Sequence, residues 1–407
     1  LNRRGGNLGD AVVVESDAED HSRELVMHSR SVVLAIVASA ACQSAPAAQD
    51  GPAQKSPNPR PRSDRVEVET LARGLEHPWG LALLPDGRFL VTERPGRVRI
   101  VSRDGRLSPA LAGVPEVQAS GQGGALDITL DPQFAQNRTV YLSFAEPGPG
   151  GAGTAVARAR LTESALENLR VIYRQEPKVR GGGHFGSRVV FRNDGTIFVT
   201  QGDRQGYQQR AQDLSQGIGK IVRINPDGTI PRDNPFVNRA DARPEIWSYG
   251  HRNVQAAALH PETGALWTVE HGARGGDELN HPEAGKNYGW PVITYGRDYS
   301  GARIGEGVAK EGMEQPVYYW DPIIAPSGMV FYTGDAFPGW KGSVLIGGLA
   351  SESLVRLTFD GDRVASEERF AIDERVRDVQ QGADGLIYLI TDSGSGRILR
   401  VRPKSGP

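Results

Sequence analysis

The sequence predicts an all-β chain folded as a six-bladed propeller of four-stranded antiparallel blades. Three observations carry this. Gly (51) and Pro (27) make up about a fifth of the 407 residues without any Gly-X-Y period, an excess that fits many tight turns. A unit of apolar runs joined by turns recurs six times across residues 66–403, about 55 residues apart, a repeat length expected of propeller blades. Long amphipathic helical periodicity is missing; only residues 162–167 read as briefly helical.

The units follow in order. Residues 81–84 lead through Pro85-Asp86-Gly87 into 88–93, and then Gly96 opens 97–100. Residues 188–191 lead through Asn193-Asp194-Gly195 into 196–200, with 219–224 as the next strand. Residues 256–259 turn at Pro261-Glu262-Thr263-Gly264 into 265–270. The strand at Val379 turns at Ala383-Asp384-Gly385 into 386–391, followed by 396–401. Asp-Gly between apolar runs is a strong hairpin signal, because glycine supplies the positive φ of the tight turn. Two units are less regular: one runs from Leu126 through Asp131-Pro132 to 141–144, the other from 329–332 through 343–346 to 354–357. In such an architecture the blades are scaffold, and the channel and the loops of one face carry function.

Upstream, residues 1–26 are polar and read as a leader that is not structured. Residues 27–42 read as a signal peptide: His28 and Arg30 supply the basic start and 31–41 the apolar core, too short to span a bilayer as a helix. Ser39-Ala40-Ala41 before Cys42 resembles a lipobox, although no Leu stands three residues before the cysteine. Cleavage after Ala45-Pro46-Ala47 is the alternative, with Cys42 discarded. Residues 43–65, rich in Ala, Pro, Gln and Ser, read as a disordered linker. The expectation is a periplasmic or secreted protein, lipid-anchored at Cys42 under the first of these readings.

Composition excludes several classes. With a net charge of −2, 38% hydrophobic and 24% charged residues, neither nucleic-acid binding nor a polybasic membrane contact has support. One cysteine permits no intrachain disulfide and no Cys-based zinc site. No G-x-S-x-G, H-E-x-x-H, Walker A loop, or dinucleotide fingerprint between strand and helix is present, so serine hydrolase, zincin and Rossmann readings lose support.

Five loops could carry chemistry. His184 lies among glycines in 181–186, where an open imidazole suits a general base; an incidental His in a turn is the plain alternative. Gly250-His251-Arg252-Asn253 sets a fork-shaped cation beside an amide, fit for a planar polar ligand, or a surface Arg in a turn. The segment 270–280, with Glu270, Asp277 and Glu278 among glycines, followed by Asn287-Tyr288-Gly289-Trp290, suits calcium, which takes many oxygens; a solvated acidic turn is the alternative. Arg375 and Arg377 alternate on a strand, so both face one side, toward a polycarboxylate or toward solvent. Gln122, in Ser120-Gly121-Gln122-Gly123-Gly124, is weak by itself.

Together these segments resemble the soluble quinoprotein glucose/aldose (sorbosone) dehydrogenase family over nearly all of residues 70–403. The resemblance is carried by Leu75-Glu76-His77-Pro78-Trp79-Gly80, Gly121-Gln122-Gly123-Gly124, Gly183-His184, Gly250-His251-Arg252-Asn253, Asp277-Glu278-Leu279-Asn280, Asn287-Tyr288-Gly289-Trp290-Pro291, Ala325-Pro326-Ser327-Gly328-Met329 and Arg375-Val376-Arg377-Asp378. It implies a six-bladed propeller holding pyrroloquinoline quinone (PQQ) and calcium, and oxidation of aldoses to lactones. His184 would be the base for the anomeric hydroxyl and Arg252 would stabilise charge on a quinone oxygen. Gln122, Asn253, Arg375 and Arg377 would contact the cofactor. The carbonyls of Gly272 and Ala273 would hold a cofactor-side calcium, and Glu278 with the Tyr288 carbonyl a structural one. Two positions depart from the family pattern: Gly183 stands where glucose-oxidising members carry Asp, and 348–353 lacks a family Lys and carries Glu352 instead. The alternatives are a calcium-dependent lactonase on the same scaffold and a non-catalytic propeller binding sugar or protein. The partner expected is a small aldose; the electron acceptor is left open.

Overall fold

In the computed structural model, residues 53–404 are described; the leader, the signal segment, Cys42 and the start of the linker lie outside them. Six sheets follow one another along the chain, each with its first strand innermost and later strands stepping outward. Blade I comprises Pro78–Leu83, Phe89–Glu93 and Arg97–Val101; blade II Ala125–Leu130, Thr139–Gly148, Gly151–Leu161 and Leu166–Arg174; blade III Val189–Phe191, Ile197–Thr200, Lys220–Ile224 and Ile246–Tyr249. Blade IV comprises Val254–Leu259, Leu266–Glu270, Asp277–Asn280 and Tyr318–Trp320; blade V Pro326–Phe331, Val344–Gly348, Ser353–Asp360 and Arg363–Ala371; blade VI Val376–Gln381, Ile387–Thr391 and Gly396–Pro403. Blade VI is completed by Val66–Leu75, which pairs antiparallel with Gly396–Pro403 from Val66↔Pro403 to Leu75↔Gly396. Neighbouring inner strands pack from blade I round to blade VI and back to blade I, so the fold is the expected six-bladed propeller.

The turns explain the hairpins: Gly195 and Gly385 sit at φ 85° and 75°, a region open to glycine without steric cost. The second strands of blades I, III, IV and VI are buried along their whole length, as expected of apolar runs covered on both faces. Six apolar clusters lie between successive blades. Phe134, Leu142 and Phe144 join Leu90 and Ile100 between I and II; Trp267 and Trp320 join Val344 and Leu357 between IV and V. Others fill the remaining seams, including that between VI and I. Full burial of each such Leu, Ile or Phe contributes about 1.5–3 kcal/mol relative to exposure.

Three expectations are corrected in detail. Residues 162–167 are not helical: Leu161 pairs with Leu166 as a hairpin, because cross-strand packing of those two leucines outweighs the weak helical pattern. The short helices are instead Phe134–Asn137 and the 3-10 turn Gln208–Gln212. Not every blade has four strands. Blade I has three, and residues 107–111 run beside its edge, with Ser108 N donating to Ile100 O at 2.8 Å and Leu111 N to Val98 O at 2.8 Å. Pro109 offers no N–H for a regular ladder there. Blade IV gains a fifth, parallel strand, Gln54–Lys55, against Tyr318–Tyr319. The stretch from Ala53, expected as the end of a linker, thus packs on the outer edges of the ring, where Ser56 Oγ donates to Glu367 Oε2 at 2.5 Å.

Arg188 closes the hub. Buried on blade III, it donates to Asp127 Oδ1 of blade II at 3.0 Å, Gln255 O of blade IV at 2.9 Å and Arg377 O of blade VI at 3.1 Å. Its guanidinium also meets Asp378 at 3.1 Å and lies 4.2 Å from the Trp79 ring centre. Four blades converge on one cation, whose charge two buried carboxylates balance. No helix of the described residues is long and apolar enough to cross a membrane.

Candidate active site

The two kinds of loop on one face build the site. The connections entering the inner strands supply His77, Gln122, His184, Asn253, Ala325 and Arg375; the loops between second and third strands supply Arg94, Asp203, Gly272, Leu349 and Asp392. A cavity of about 540 Å³ lies among them, lined by Gln122, Gly272, Ala273, Arg375 and Arg377 together with Trp79, Arg94, Asp392 and Tyr299. A second cavity, about 550 Å³, is lined by Arg188, Asp127 and Asp378 together with apolar side chains such as Leu83, Leu130, Phe191 and Phe331. We assign the chemistry to the former because Arg94, Arg375, Arg377, Asp392, His77 and His271 converge there, whereas the charges of the latter pair with one another.

His184 stands just behind the cavity, next to Phe185 and Gly186, which line it. Its backbone N donates to Gln122 Oε1 at 2.8 Å, and its Nδ1 lies 2.6 Å from Asp203 Oδ1. Asp203 is itself held: Gln205 N donates to Oδ1 at 2.7 Å and Trp290 Nε1 to Oδ2 at 2.7 Å. An ionised carboxylate can only accept, so Nδ1 carries the proton and Nε2 is left as the basic nitrogen. Burial lowers the His184 pKa below its ordinary value, while Asp203 pulls the other way. The loop strains to place this ring: His184 has φ 50°, and the Arg204 guanidinium stacks 3.4 Å from the Phe185 ring centre while donating to the Gly181 carbonyl at 2.7 Å. At Gly183 an added Cβ would lie 2.2 Å from Gln205 Oε1; the Gln205 side chain occupies the space a longer residue would need.

Arg252 runs behind the cavity. Its Nη1 donates to His271 O at 3.0 Å and also to Gly272 O, and its Nη2 lies 3.5 Å from the Tyr299 hydroxyl. Asn253 Oδ1 accepts from Gly186 N at 3.1 Å and Gln255 Nε2 at 3.2 Å. Arg252 Nε, Asn253 Nδ2 and Arg377 Nε are buried without a protein partner, polar groups whose burial is costly unless a ligand or solvent meets them. His271 donates Nε2 to Pro326 O at 2.9 Å, and burial with Arg252 nearby pushes it down to about 3, so it stays neutral.

Arg375 and Arg377 share the cavity, as their alternation predicts, but in different states. Arg377 is buried and pairs with Asp392 Oδ2 at 2.5 Å and Gln255 Oε1 at 2.9 Å. Arg375, about half exposed, donates to Leu349 O at 3.1 Å and lies 3.8 Å from Asp392. Asp392 also meets His77 Nδ1 at 3.1 Å. Burial would raise the Asp392 pKa, but Arg377 and Arg94 hold it well below the carboxylate range.

The residues expected to hold metal divide. Gly272 and Ala273 line the cavity, and a Cβ at Gly272 would lie 2.2 Å from Gly275 O, so the loop folds too tightly for any other residue. The nearby Asp277 carboxylate accepts from Gly272 N at 2.8 Å, Ile324 N at 2.8 Å and Ala325 N at 2.7 Å, a loop-bracing role. Burial pushes it up to about 6. Glu278 and Tyr288 do not reach the cavity. They flank a separate small pocket with Glu270, Gly250 and Trp290, and Glu270 and Glu278 are register partners across two strands. Burial, then Glu270, push Glu278 up to about 8, a repulsion that a divalent cation would relieve. Among the described residues no three acidic, His or Cys side chains converge as a metal cluster.

Sequence reasoning missed Asp203, Arg94, Asp392 and Tyr299. The signal for Asp203 was its position at the end of the strand paired with the one His184 enters; Tyr299 sits in a loop without periodicity.

Known proteins similar to this chain point to one family. A family model described as Glucose / Sorbosone dehydrogenase matches residues 75–400. Aldose sugar dehydrogenase YliI of Escherichia coli is 47% identical over 348 residues, covering 84% of this chain and 94% of that protein. A crystal structure of a glucose dehydrogenase superposes with a TM-score of 0.81 at 51% identity, covering 82% and 99% of the two chains. The PQQ-bound aldose sugar dehydrogenase of Streptomyces coelicolor superposes with a TM-score of 0.69 at 30% identity, covering 84% and 99%.

Proposed function

This chain belongs to the glucose/sorbosone dehydrogenase family, and from that premise we propose that it is a PQQ- and calcium-dependent dehydrogenase oxidising aldoses at the anomeric carbon to lactones. One observation carries the reading: Gln122, Arg375 and Arg377, from different blades, line one cavity, and Gln122 also holds the backbone of His184, which pairs with Asp203 beside it. The cofactor fits this site on its chemistry. Guanidiniums suit its carboxylates, and Arg377, which lines the cavity, keeps a buried nitrogen without a protein partner. PQQ, when bound, supplies the acceptor for the hydride of the sugar.

The protein's own groups do the rest. His184 takes the anomeric hydroxyl proton at Nε2, while Asp203 fixes the ring and stabilises the imidazolium. Arg252 sets a cation beside Gly272 and Tyr299, where negative charge developing on a neighbouring oxygen is stabilised. Arg375 and Arg377 with Gln122 and Asn253 hold the cofactor. The carbonyls of Gly272 and Ala273, the former also accepting from Arg252, would hold a calcium that would act as a Lewis acid beside the cofactor. Glu270, Glu278 and the Tyr288 carbonyl would hold a second, structural calcium. Export to the periplasm or beyond, with or without a lipid on Cys42, belongs to the same reading.

The lactonase alternative wants calcium at the channel centre; there Arg188 bridges Asp127 and Asp378, a cation already in place. The deciding experiment adds PQQ and calcium to apo-protein and measures aldose-dependent dye reduction. Turnover with aldoses supports the proposal. No turnover with any aldose and no bound-quinone spectrum ends it, and lactone hydrolysis without quinone would favour the alternative.

A further inference from the structure

Arg94 has no role in the reading above, and its surroundings suggest one. It follows the second strand of blade I and lines the cavity with Arg375 and Arg377. Blades I and VI are neighbours in the ring, so Arg94 and Arg375 stand on adjacent walls. Its Nη1 donates to Gly121 O at 2.8 Å, which fixes the guanidinium beside the Gln122 loop, and its Nε is buried without a protein partner. Arg94 acts together with Arg377 on Asp392, which places it near the same carboxylate.

The charge arithmetic of the cavity gives this position meaning. Two carboxylates line it, Asp277 and Asp392. Asp277 is saturated by backbone N–H groups, and Asp392 is matched to Arg377 at 2.5 Å. Arg375 meets Asp392 only at 3.8 Å. Arg94 and Arg375 therefore present cationic surface that the protein's carboxylates do not neutralise, one on each of two adjoining walls. A planar guest with carboxylates on more than one edge can engage both at once.

We propose that Arg94 binds a carboxylate of the cofactor directly, as a third cation beside Arg375 and Arg377. This rests on the PQQ reading of the cavity. The recognition is charge-assisted and forked: guanidinium N–H groups donate to carboxylate oxygens, and exposure of the site makes the contribution sensitive to salt.

The test titrates PQQ, and separately its trimethyl ester, into full-length apo-protein with calcium, reading quenching of tryptophan fluorescence. For Arg94→Gln the PQQ Kd should rise about ten- to a hundredfold, the range for a hydrogen bond to a charged group. The ester should bind wild type more weakly than PQQ, and Arg94→Gln should discriminate less between the two. Arg94→Lys, which keeps the charge, should recover part of the loss. If Arg94→Gln binds PQQ like wild type, or weakens both ligands equally, Arg94 does not touch a carboxylate and the inference fails alone. If wild type binds no PQQ at all, the cofactor reading falls and takes this inference with it.

Discussion

Asp203 Oδ1 lies 2.6 Å from Nδ1 of His184, while Asp203 Oδ2 accepts from Trp290 Nε1 at 2.7 Å. The base is thus held through a carboxylate that is itself anchored from blade IV. This arrangement sets which nitrogen is free, and with it the chemistry available to the cavity.

Replacing the base is the first prediction. His184→Ala should cut turnover by about a hundred- to ten-thousandfold, the usual contribution of a general base, with PQQ still bound. Stopped-flow reduction of the dye and the bound-cofactor spectrum measure the two effects separately. Loss of the cofactor with normal residual turnover would assign His184 to binding instead.

The pH profile follows from the sign of the His184 shift. Burial favours the neutral ring and lowers its pKa, so the base remains active below its ordinary value. The acid limb of kcat/KM should therefore fall below pH ~6.5. Asp203 opposes the shift, so Asp203→Asn should move the limb further toward acid while lowering the maximal rate. A limb displaced toward alkaline pH in that variant contradicts the assignment.

Arg375 and Arg377 should separate. Arg375 is half exposed with one hydrogen bond to Leu349 O, so Arg375→Ala should weaken PQQ binding more than turnover at saturation, at little cost in stability. Arg377→Ala strips a buried partner from Asp392 and should lower the melting temperature as well. Equilibrium titration and thermal melting distinguish the two variants.

Calcium should stabilise the chain through Glu278. Its pKa is raised to about 8, so without metal its contribution is full below the ordinary glutamate value and is lost as pH rises through 8. Calcium requires the ionised form, so its stabilising effect should grow from pH 6.5 to 8.5. At a hundred times Kd it amounts to about 2.7 kcal/mol. Thermal melts with calcium and with chelator at both pH values read this, and Glu278→Gln should abolish the difference.

Arg188→Leu tests the hub. It leaves Asp127 and Asp378 buried and unpaired, which costs about 3–5 kcal/mol. Urea unfolding of the two proteins gives the difference; a change within about 0.5 kcal/mol, the scale of neutral surface substitutions, would show that the hub pair carries no such weight.

The recurrence of apolar runs joined by turns, Asp-Gly in three of the six units, was enough to determine six blades, because turn geometry and burial on both faces are local demands that each unit writes for itself. The loops entering the inner strands were legible too: His184, Gln122 and Asn253 stand among or after glycines just before apolar runs, and Arg375 alternates with Arg377 at the start of one. The tertiary structure decided what local pattern cannot hold. The seam between Val66–Leu75 and Gly396–Pro403 joins chain ends more than 300 residues apart. Arg94 meets the Arg375 cavity, and Arg188 meets Asp127 and Asp378, only because ring closure points loops and strands of separate blades at one axis; Asp203 meets His184 within blade III, where two paired strands bring their ends together. Charges far apart in sequence acquire their partners, and so their function, from that convergence.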